Sequence, residues 1–116
     1  MTISMNTKSK KVYSEYCQDA VMLLGQLIQV ARKDKKITVI ELAERAGISR
    51  GTLYKIEQGS LTCEVGTVFE VAALVGIKLF NMSEKTLSSE VENMRQRLIL
   101  LPDRIRKKQE PFDDDF

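Results

Sequence analysis

The feature that most constrains the fold is a series of helix start and stop residues between Thr38 and Gly59. Residues 38–41, TVIE, have the form of a capping box, in which a hydroxyl and a carboxylate each satisfy a backbone N–H of the first turn. Gly47 can adopt the left-handed conformation that ends a helix, and Ser49 is a typical cap for a following one. The sequence therefore predicts two helices of about eight residues each, joined by a turn of three or four residues.

A longer helix is predicted before this pair, over residues 15–34, with Ser14 as its cap. Its apolar residues recur at helical spacing and are Tyr16, Ala20, Leu23, Leu24, Leu27, Ile28 and Ala31. Gly25 inside this helix lowers the helix propensity by up to about 1 kcal/mol, which indicates close packing there. After the pair, the apolar spacing predicts a further helix from Val65 to Val75, ended by Gly76.

The C-terminal third contains two further predicted elements. Residues 77–82 alternate apolar and polar side chains, which predicts a short strand. A C-terminal helix over residues 87–101, capped by Ser88 or Ser89 and interrupted by Pro102, is predicted next. Its apolar stripe consists of Leu87, Val91, Met94, Leu98 and Leu101. This stripe packs on its own domain or pairs between two copies of the chain, and the sequence leaves both interpretations open.

The length of 116 residues predicts one domain with tails. We divide the chain into a flexible basic arm, a domain holding the paired helices, a helical extension and a basic-then-acidic tail, at residues 1–13, 14–80, 81–101 and 102–116. The net charge is only +2, but it is unevenly distributed. Residues 1–60 carry ten basic and six acidic side chains, whereas residues 61–116 carry eight and ten. The excess positive charge therefore lies with the arm and the paired helices.

The composition argues against an enzyme and a metal site. The chain has no His, which removes the commonest general base and the commonest metal ligand. Cys17 and Cys63 form no CxxC motif, so we expect no thiolate metal site. Since the sequence has no cofactor motif either, we expect no catalytic residues and no cofactor or small-molecule ligand. The longest apolar run is about five residues, far below the roughly 18 of a membrane span. Unpaired cysteines suit a reducing compartment, so we expect a cytoplasmic protein without a membrane partner.

Two short helices joined by a tight Gly-containing turn are typical of a helix-turn-helix, although a helical hairpin in a core has the same pattern. The residues in addition resemble a known family. Residues 42–59, LAERAGISRGTLYKIEQG, and residues 67–76, TVFEVAALVG, resemble the Xre/Cro-type helix-turn-helix of phage and bacterial repressors. The resemblance covers about 54 residues, from Leu24 to Ile77. It implies an all-α, five-helix lambda-repressor-like domain that binds double-stranded operator DNA.

This resemblance assigns roles to individual residues. Those expected to contact DNA are Thr38, Ser49, Arg50, Gly51, Thr52, Tyr54 and Lys55. Arg50, Gly51 and Lys55 take the positions that face base edges, and Arg and Lys suit guanine O6 and N7. Ser49 takes the cap position that touches phosphate, while Thr52 and Tyr54 meet sugar or phosphate. Gly51 departs from the pattern, because glycine has no side chain with which to read a base.

The remaining residues of the motif are expected to be structural. The predicted core side chains are Leu42, Ala43, Ile48, Leu53 and Ile56. Glu57 lies where the family often has an acid that bonds within the fold. Lys33, Lys35 and Lys36 either contact phosphates or are merely solvated.

Beyond residue 76 a second resemblance leads to a more specific hypothesis. Residues 76–82, GIKLFNM, resemble HipB-type antitoxins, whose C-terminal strands pair between protomers. Residues 101–116 resemble tails of regulators encoded beside HipA-like kinase toxins. This predicts a dimeric, sequence-specific repressor that is the antitoxin of a HipAB-like operon and binds a HipA-like kinase toxin. The predicted partner-binding residues are Phe112, Asp113, Asp114, Asp115 and Phe116, unless the tail only increases solubility. The alternative is a phage-type, lysogeny or Cro-like repressor without a toxin partner.

Overall fold

A computed structural model describes residues 11–105 and residue 107. Its five α-helices are α1 (Glu15–Asp34), α2 (Val39–Ala46), α3 (Arg50–Glu57), α4 (Val65–Leu74) and α5 (Glu84–Leu100). A 3-10 turn at Leu79–Asn81 precedes α5. No strand occurs in this part of the chain, which confirms the all-α prediction. Most of the basic arm and the aromatic-acidic tail Phe112–Phe116 lie outside the described residues.

Local capping sets the boundaries of the first three helices. The N–H of Cys17 donates to Ser14 Oγ at 3.1 Å, so α1 begins where predicted. Gly47 has φ of 70° and ends α2 in the left-handed conformation, and Ser49 caps α3 three residues after α2 ends. The predicted pair of short helices is therefore confirmed.

The chain divides after Phe80 into two compact units. In the first unit, α1 packs against α3, and α2 packs against both α3 and α4. The buried core comprises Ile28, Leu42, Ala43, Leu53, Ile56, Val71, Ala72 and Val75. Four of the five predicted core residues are in this set, and Ile48 is half-buried against it. Each fully buried aliphatic side chain contributes about 1.5–3 kcal/mol relative to exposure.

The prediction of a strand over residues 77–82 is wrong. Ile77 and Leu79 are half-buried against the core, and the chain then turns through the 3-10 segment. Phe80 and Asn81 have φ of 55° and 56°, which lies outside the β region that a strand requires. The Phe80 ring meets Phe69 edge to face, with the centroids 6.4 Å apart. Apolar alternation here thus reflects packing of a turn, not strand pairing.

The predicted cap of the C-terminal helix is also wrong. α5 begins at Glu84, and Ser83 is its cap: Ser83 Oγ accepts from the N–H of Thr86 at 3.2 Å. Ser88 and Ser89 are exposed residues inside the helix. No residue of α5 is buried. Within the described ranges, no helix combines the length and the apolar character that crossing a membrane requires.

Candidate nucleic-acid interface

Helix α3 has one buried and one exposed side. Leu53, Ile56 and Glu57 are its buried residues. The exposed side, which we call the reading face, carries Arg50, Gly51, Tyr54 and Lys55. Each of these positions lies three or four residues from another one of the set, so they share one side of a helix. The reading face therefore combines two cations, a tyrosine residue that is 65% exposed, and a position without a side chain.

Gly51 on the reading face is not required by packing. A Cβ atom placed there would have only Ser49 Oγ within 4 Å, at 3.8 Å, which is an ordinary contact. The backbone of α3 is consequently bare at this point of an exposed face. A ligand surface can approach the helix more closely at Gly51 than at its neighbours.

The start of α3 is a closed hydrogen-bond pair. Ser49 Oγ accepts from the N–H of Thr52 at 3.0 Å and donates to Thr52 Oγ1 at 3.0 Å. The hydroxyl hydrogen of Ser49 is thus used in the cap itself, while the hydroxyl hydrogen of Thr52 is left for another acceptor. Thr52 is therefore better placed than Ser49 to donate to a phosphate.

Thr38 occupies a capping box at the start of α2. The N–H of Thr38 donates to Glu41 Oε1 at 2.9 Å, and the N–H of Glu41 donates to Thr38 Oγ1 at 3.1 Å. The pKa of Glu41 is lowered from its ordinary value, first because the Thr38 N–H bonds to its carboxylate. Thr38 thus lies on a different helix from the six predicted DNA-contacting residues at 49–52, 54 and 55.

A buried ion pair fixes the far end of α3 and was not predicted as a pair. Arg32 of α1 donates from Nε to Glu57 Oε2 at 2.7 Å and from Nη2 to Oε1 at 3.1 Å. The two residues are only 8% and 6% exposed. The pKa of Arg32 is raised above its ordinary value, chiefly because it donates to Glu57. Arg32 Nη1 also donates to the carbonyl of Ile37 at 3.1 Å, just before α2. One side chain therefore holds both helices of the pair.

The backbones of α1 and of the C-terminal end of α3 are also in close contact. A Cβ atom at Gly25 would lie 2.5 Å from the carbonyl oxygen of Ile56 and 2.9 Å from that of Glu57. Gly59, with φ of 81°, lies against Met22 in the same way, with 2.9 Å from a Cβ to Met22 Cα. The close packing predicted at Gly25 is confirmed. α3 is held against α1 without room for a methyl group.

A polar cleft of about 360 Å³ borders the reading face. It is lined by Ile48, Thr52, Lys55, Thr62, Cys63, Glu64 and Thr67. Glu64 caps α4 without a side-chain hydrogen bond to its backbone, so its first turn has no side-chain acceptor there. Sequence reasoning did not select the cleft residues after α3, although the hydroxyls at 60, 62 and 67 gave a compositional signal.

Two helices separated by three residues, with the second exposing a basic face, define a helix-turn-helix domain. Residues 28–81 match the helix-turn-helix family model HTH_3. This segment contains all seven residues predicted to contact DNA and both partners of the buried ion pair.

Two known proteins are similar to parts of the chain. The immunity repressor protein of Bacillus phage phi105 is 37% identical over 70 residues, which is 60% of this chain and 49% of that protein. The chain thus spans about half the length of this curated relative. A chain of the SinR protein/SinI protein complex is 31% identical, with coverage of 66% of this chain and 79% of that one, and a TM-score of 0.42.

Proposed function

We propose that this protein is a sequence-specific DNA-binding transcriptional repressor that acts as a dimer. The observation that carries the proposal is the reading face of α3, whose exposed cations stand on a helix fixed by the buried pair of Arg32 and Glu57. A helix held rigidly with one basic side outward is the form in which helix-turn-helix proteins enter the major groove.

In this proposal each residue of the helix pair has a distinct task. Arg50 and Lys55 donate to guanine O6 and N7, which is the pairing that their geometry favours. Thr52 and Tyr54 contact sugar or phosphate, and Gly51 lets the α3 backbone approach the base edges. Ser49 and Thr38 contribute through their helix N-termini, where the backbone dipole favours a phosphate. The excess of basic residues before residue 60 supplies the nonspecific attraction to the duplex.

The dimer and the division of the chain belong to the same proposal. One recognition helix reads only a few base pairs, so two copies on neighbouring half-sites are needed for operator specificity. We assign DNA reading to residues 14–80 and pairing or partner contact to the extension and the tail. Lys33, Lys35 and Lys36 are exposed at the end of α1, as phosphate contacts require.

For the more specific function we favour a phage-type repressor. The similarity to a phage immunity repressor supports it. The alternative is an antitoxin of a HipAB-like operon with a HipA-like kinase partner. The strand at residues 77–82 on which that resemblance depended does not form. The other support for this alternative, the tail Phe112–Phe116, lies outside the described residues. Mixing the full chain with a HipA-like kinase and measuring complex formation, with and without residues 109–116, separates the two.

DNA binding is tested by selecting ligands from random duplexes with the full chain at about 150 mM salt, followed by competition gel shifts. We expect one enriched motif that binds with a Kd of about 10⁻⁸ M or tighter, with affinity falling as salt rises. Arg50→Ala should weaken binding by about 1–3 kcal/mol and relax the preference at one base pair.

The matched control is Lys78→Ala, which removes an exposed cation that follows the helix pair. We expect the selected motif to be unchanged in this variant. Selection of no motif by the wild type, or an identical motif and affinity for Arg50→Ala, would contradict the proposal.

A further inference from the structure

Helix α5 has an apolar side that the second unit leaves uncovered. None of its 17 residues is buried. An isolated helix of this length is marginal in water, because most helical stability in proteins comes from packing an apolar face against another element. α5 is the sole helix among the described residues of the unit that begins at Asn81. A stable α5 therefore requires another surface that covers its apolar side.

The apolar residues of α5 follow a heptad repeat. With Val91 and Leu98 at a positions, the d positions within α5 are Leu87 and Met94. We call these four residues the heptad seam. Leu101, at the next d position, is the C-cap residue of α5 and has extended backbone. Leu87 is half-buried, and the other three are between 47% and 67% exposed. The next a position toward the N-terminus is Glu84, so the heptad seam starts at Leu87. A repeat of 3.5 residues is the pattern by which two helices pack along a common seam.

We infer that the heptad seam of α5 pairs in parallel with that of a second copy of the chain. The flanking charges specify this occupant. Glu90 at a g position and Arg95 at the next e position are five residues apart, which is the g-to-e′ distance across a parallel pair. Each copy supplies both charges, so the pairing forms two ion pairs and brings no like charges together at these positions. Val91 at one a position, with Leu87 at a d position, likewise favours two parallel strands.

Arg95 is free to make this exchange. Its present partner is Glu92, three residues earlier on the same helix, with 3.2 Å between Arg95 Nε and Glu92 Oε1. Both side chains of that pair are more than half exposed, so the bond is worth little. Arg95 can therefore contact Glu90 of a second copy at small cost.

This pairing deepens the proposed function, because it identifies the surface through which the DNA-binding dimer forms. Its role in DNA binding rests on that function. Parallel pairing brings the two Ser83 caps to the same end of the coil, so both chains enter from one side. Two recognition helices on one duplex need such a twofold arrangement. The pairing itself is independent of DNA and is measured without it.

The experiment is sedimentation equilibrium of the full chain without DNA, up to about 200 μM, because self-association depends on concentration. The test variant is Leu98→Asp, and the matched control is Leu100→Asp. Leu100 is 84% exposed, lies two residues further on, and is not part of the heptad seam. We expect a dimer with a micromolar Kd for the wild type and the control, since a coil of fewer than two heptads is short. In Leu98→Asp the Kd should rise about 100-fold or more, because pairing would bury an unpartnered carboxylate.

Orientation is tested by Leu98→Cys with Cys17→Ser and Cys63→Ser. Parallel pairing places both copies of position 98 in the same layer, so oxidation should give a disulfide-linked dimer. The inference is overturned if the wild type remains monomeric, if Leu98→Asp and Leu100→Asp sediment alike, or if position 98 does not cross-link.

The same samples separate this inference from the proposed function. A wild type that dimerises through Leu98 but selects no DNA motif supports the pairing and removes the DNA-binding proposal. A monomeric wild type that still selects a motif overturns the pairing and the dimer, and supports DNA binding by the reading face.

Discussion

The two units of the chain are stabilised by different means. In the first unit, side chains such as Leu42 and Leu53 are fully buried, and the ion pair of Arg32 with Glu57 is buried with them. In α5 no residue is buried, and both side chains of the ion pair between Glu92 and Arg95 are more than half exposed. The first unit can thus fold around its own interior, whereas the stability of α5 depends on what covers the heptad seam.

The strongest test of this difference compares the two ion pairs. Glu57→Ala should lower the free energy of unfolding by about 3–5 kcal/mol, because it leaves Arg32 charged, buried and without its carboxylate. Glu92→Ala should lower it by no more than about 1 kcal/mol, since the pair with Arg95 is exposed. Urea unfolding followed by circular dichroism measures both values. Similar losses in the two variants would break the comparison.

A second test replaces one leucine in each unit. Leu53→Ala should cost about 2–5 kcal/mol of stability, since it leaves a cavity in a core side chain with no exposure. Leu98→Ala should leave the unfolding of the first unit unchanged within about 0.5 kcal/mol. Differential scanning calorimetry of both variants checks this. A large loss in Leu98→Ala would mean that the two units do not unfold independently.

Two glycines sharpen the comparison inside the first unit, where one is enclosed and the other exposed. Gly25→Ala should cost about 1–3 kcal/mol, because its methyl group would overlap the carbonyl of Ile56. Gly51→Ala should raise stability by up to about 1 kcal/mol, because the helix gains a better former in open space. If the backbone of α3 approaches DNA at Gly51, the stabilised variant should bind the selected duplex more weakly. Thermal unfolding and gel shifts report the two effects separately.

The smallest expected effect distinguishes the caps of α2 and α5. The Thr38 N–H lowers the pKa of Glu41. The stabilising effect of the ionised carboxylate is therefore present above the ordinary pKa of 4.5 and is lost as pH falls through the lower folded value. The Ser83 cap of α5 contains no titrating group. The stability advantage of the wild type over Glu41→Gln should therefore shrink between pH 7 and pH 3. A pH-independent difference in chemical unfolding would show that the ionised carboxylate contributes nothing.

The sequence predicted those elements whose causes lie within a few residues. The capping box at 38–41, the left-handed Gly47 and the cap Ser49 act within one turn, so the paired helices could be placed correctly. The partner of Glu57 could not be identified in this way, because Arg32 is 25 residues away and its burial depends on how α1 packs. The residues that line the cleft beside α3 could not be predicted for the same reason, because helix packing brings them together.

The two wrong predictions have local causes. Six alternating residues at 77–82 fit a strand or a packed turn, and only positive φ at Phe80 and Asn81 decides between them. Ser83, Ser88 and Ser89 are all chemically able to cap α5. Ser83 does so: its Oγ accepts from the N–H of Thr86 and donates to Thr86 Oγ1.

The threefold attachment of Arg32 has a consequence for how discrimination is achieved. Moving α3 relative to α2 would break the hydrogen bonds of Arg32 to Glu57 or its bond to the Ile37 carbonyl, because one side chain makes both. The helix pair therefore has little conformational freedom to lose when it meets a ligand, and little ability to adapt to a poor one. A mismatch in shape has to be absorbed by the duplex, whose bending energy depends on its base sequence. Under the proposed function, the stiffness of the protein itself becomes a source of selectivity at base pairs that no side chain touches.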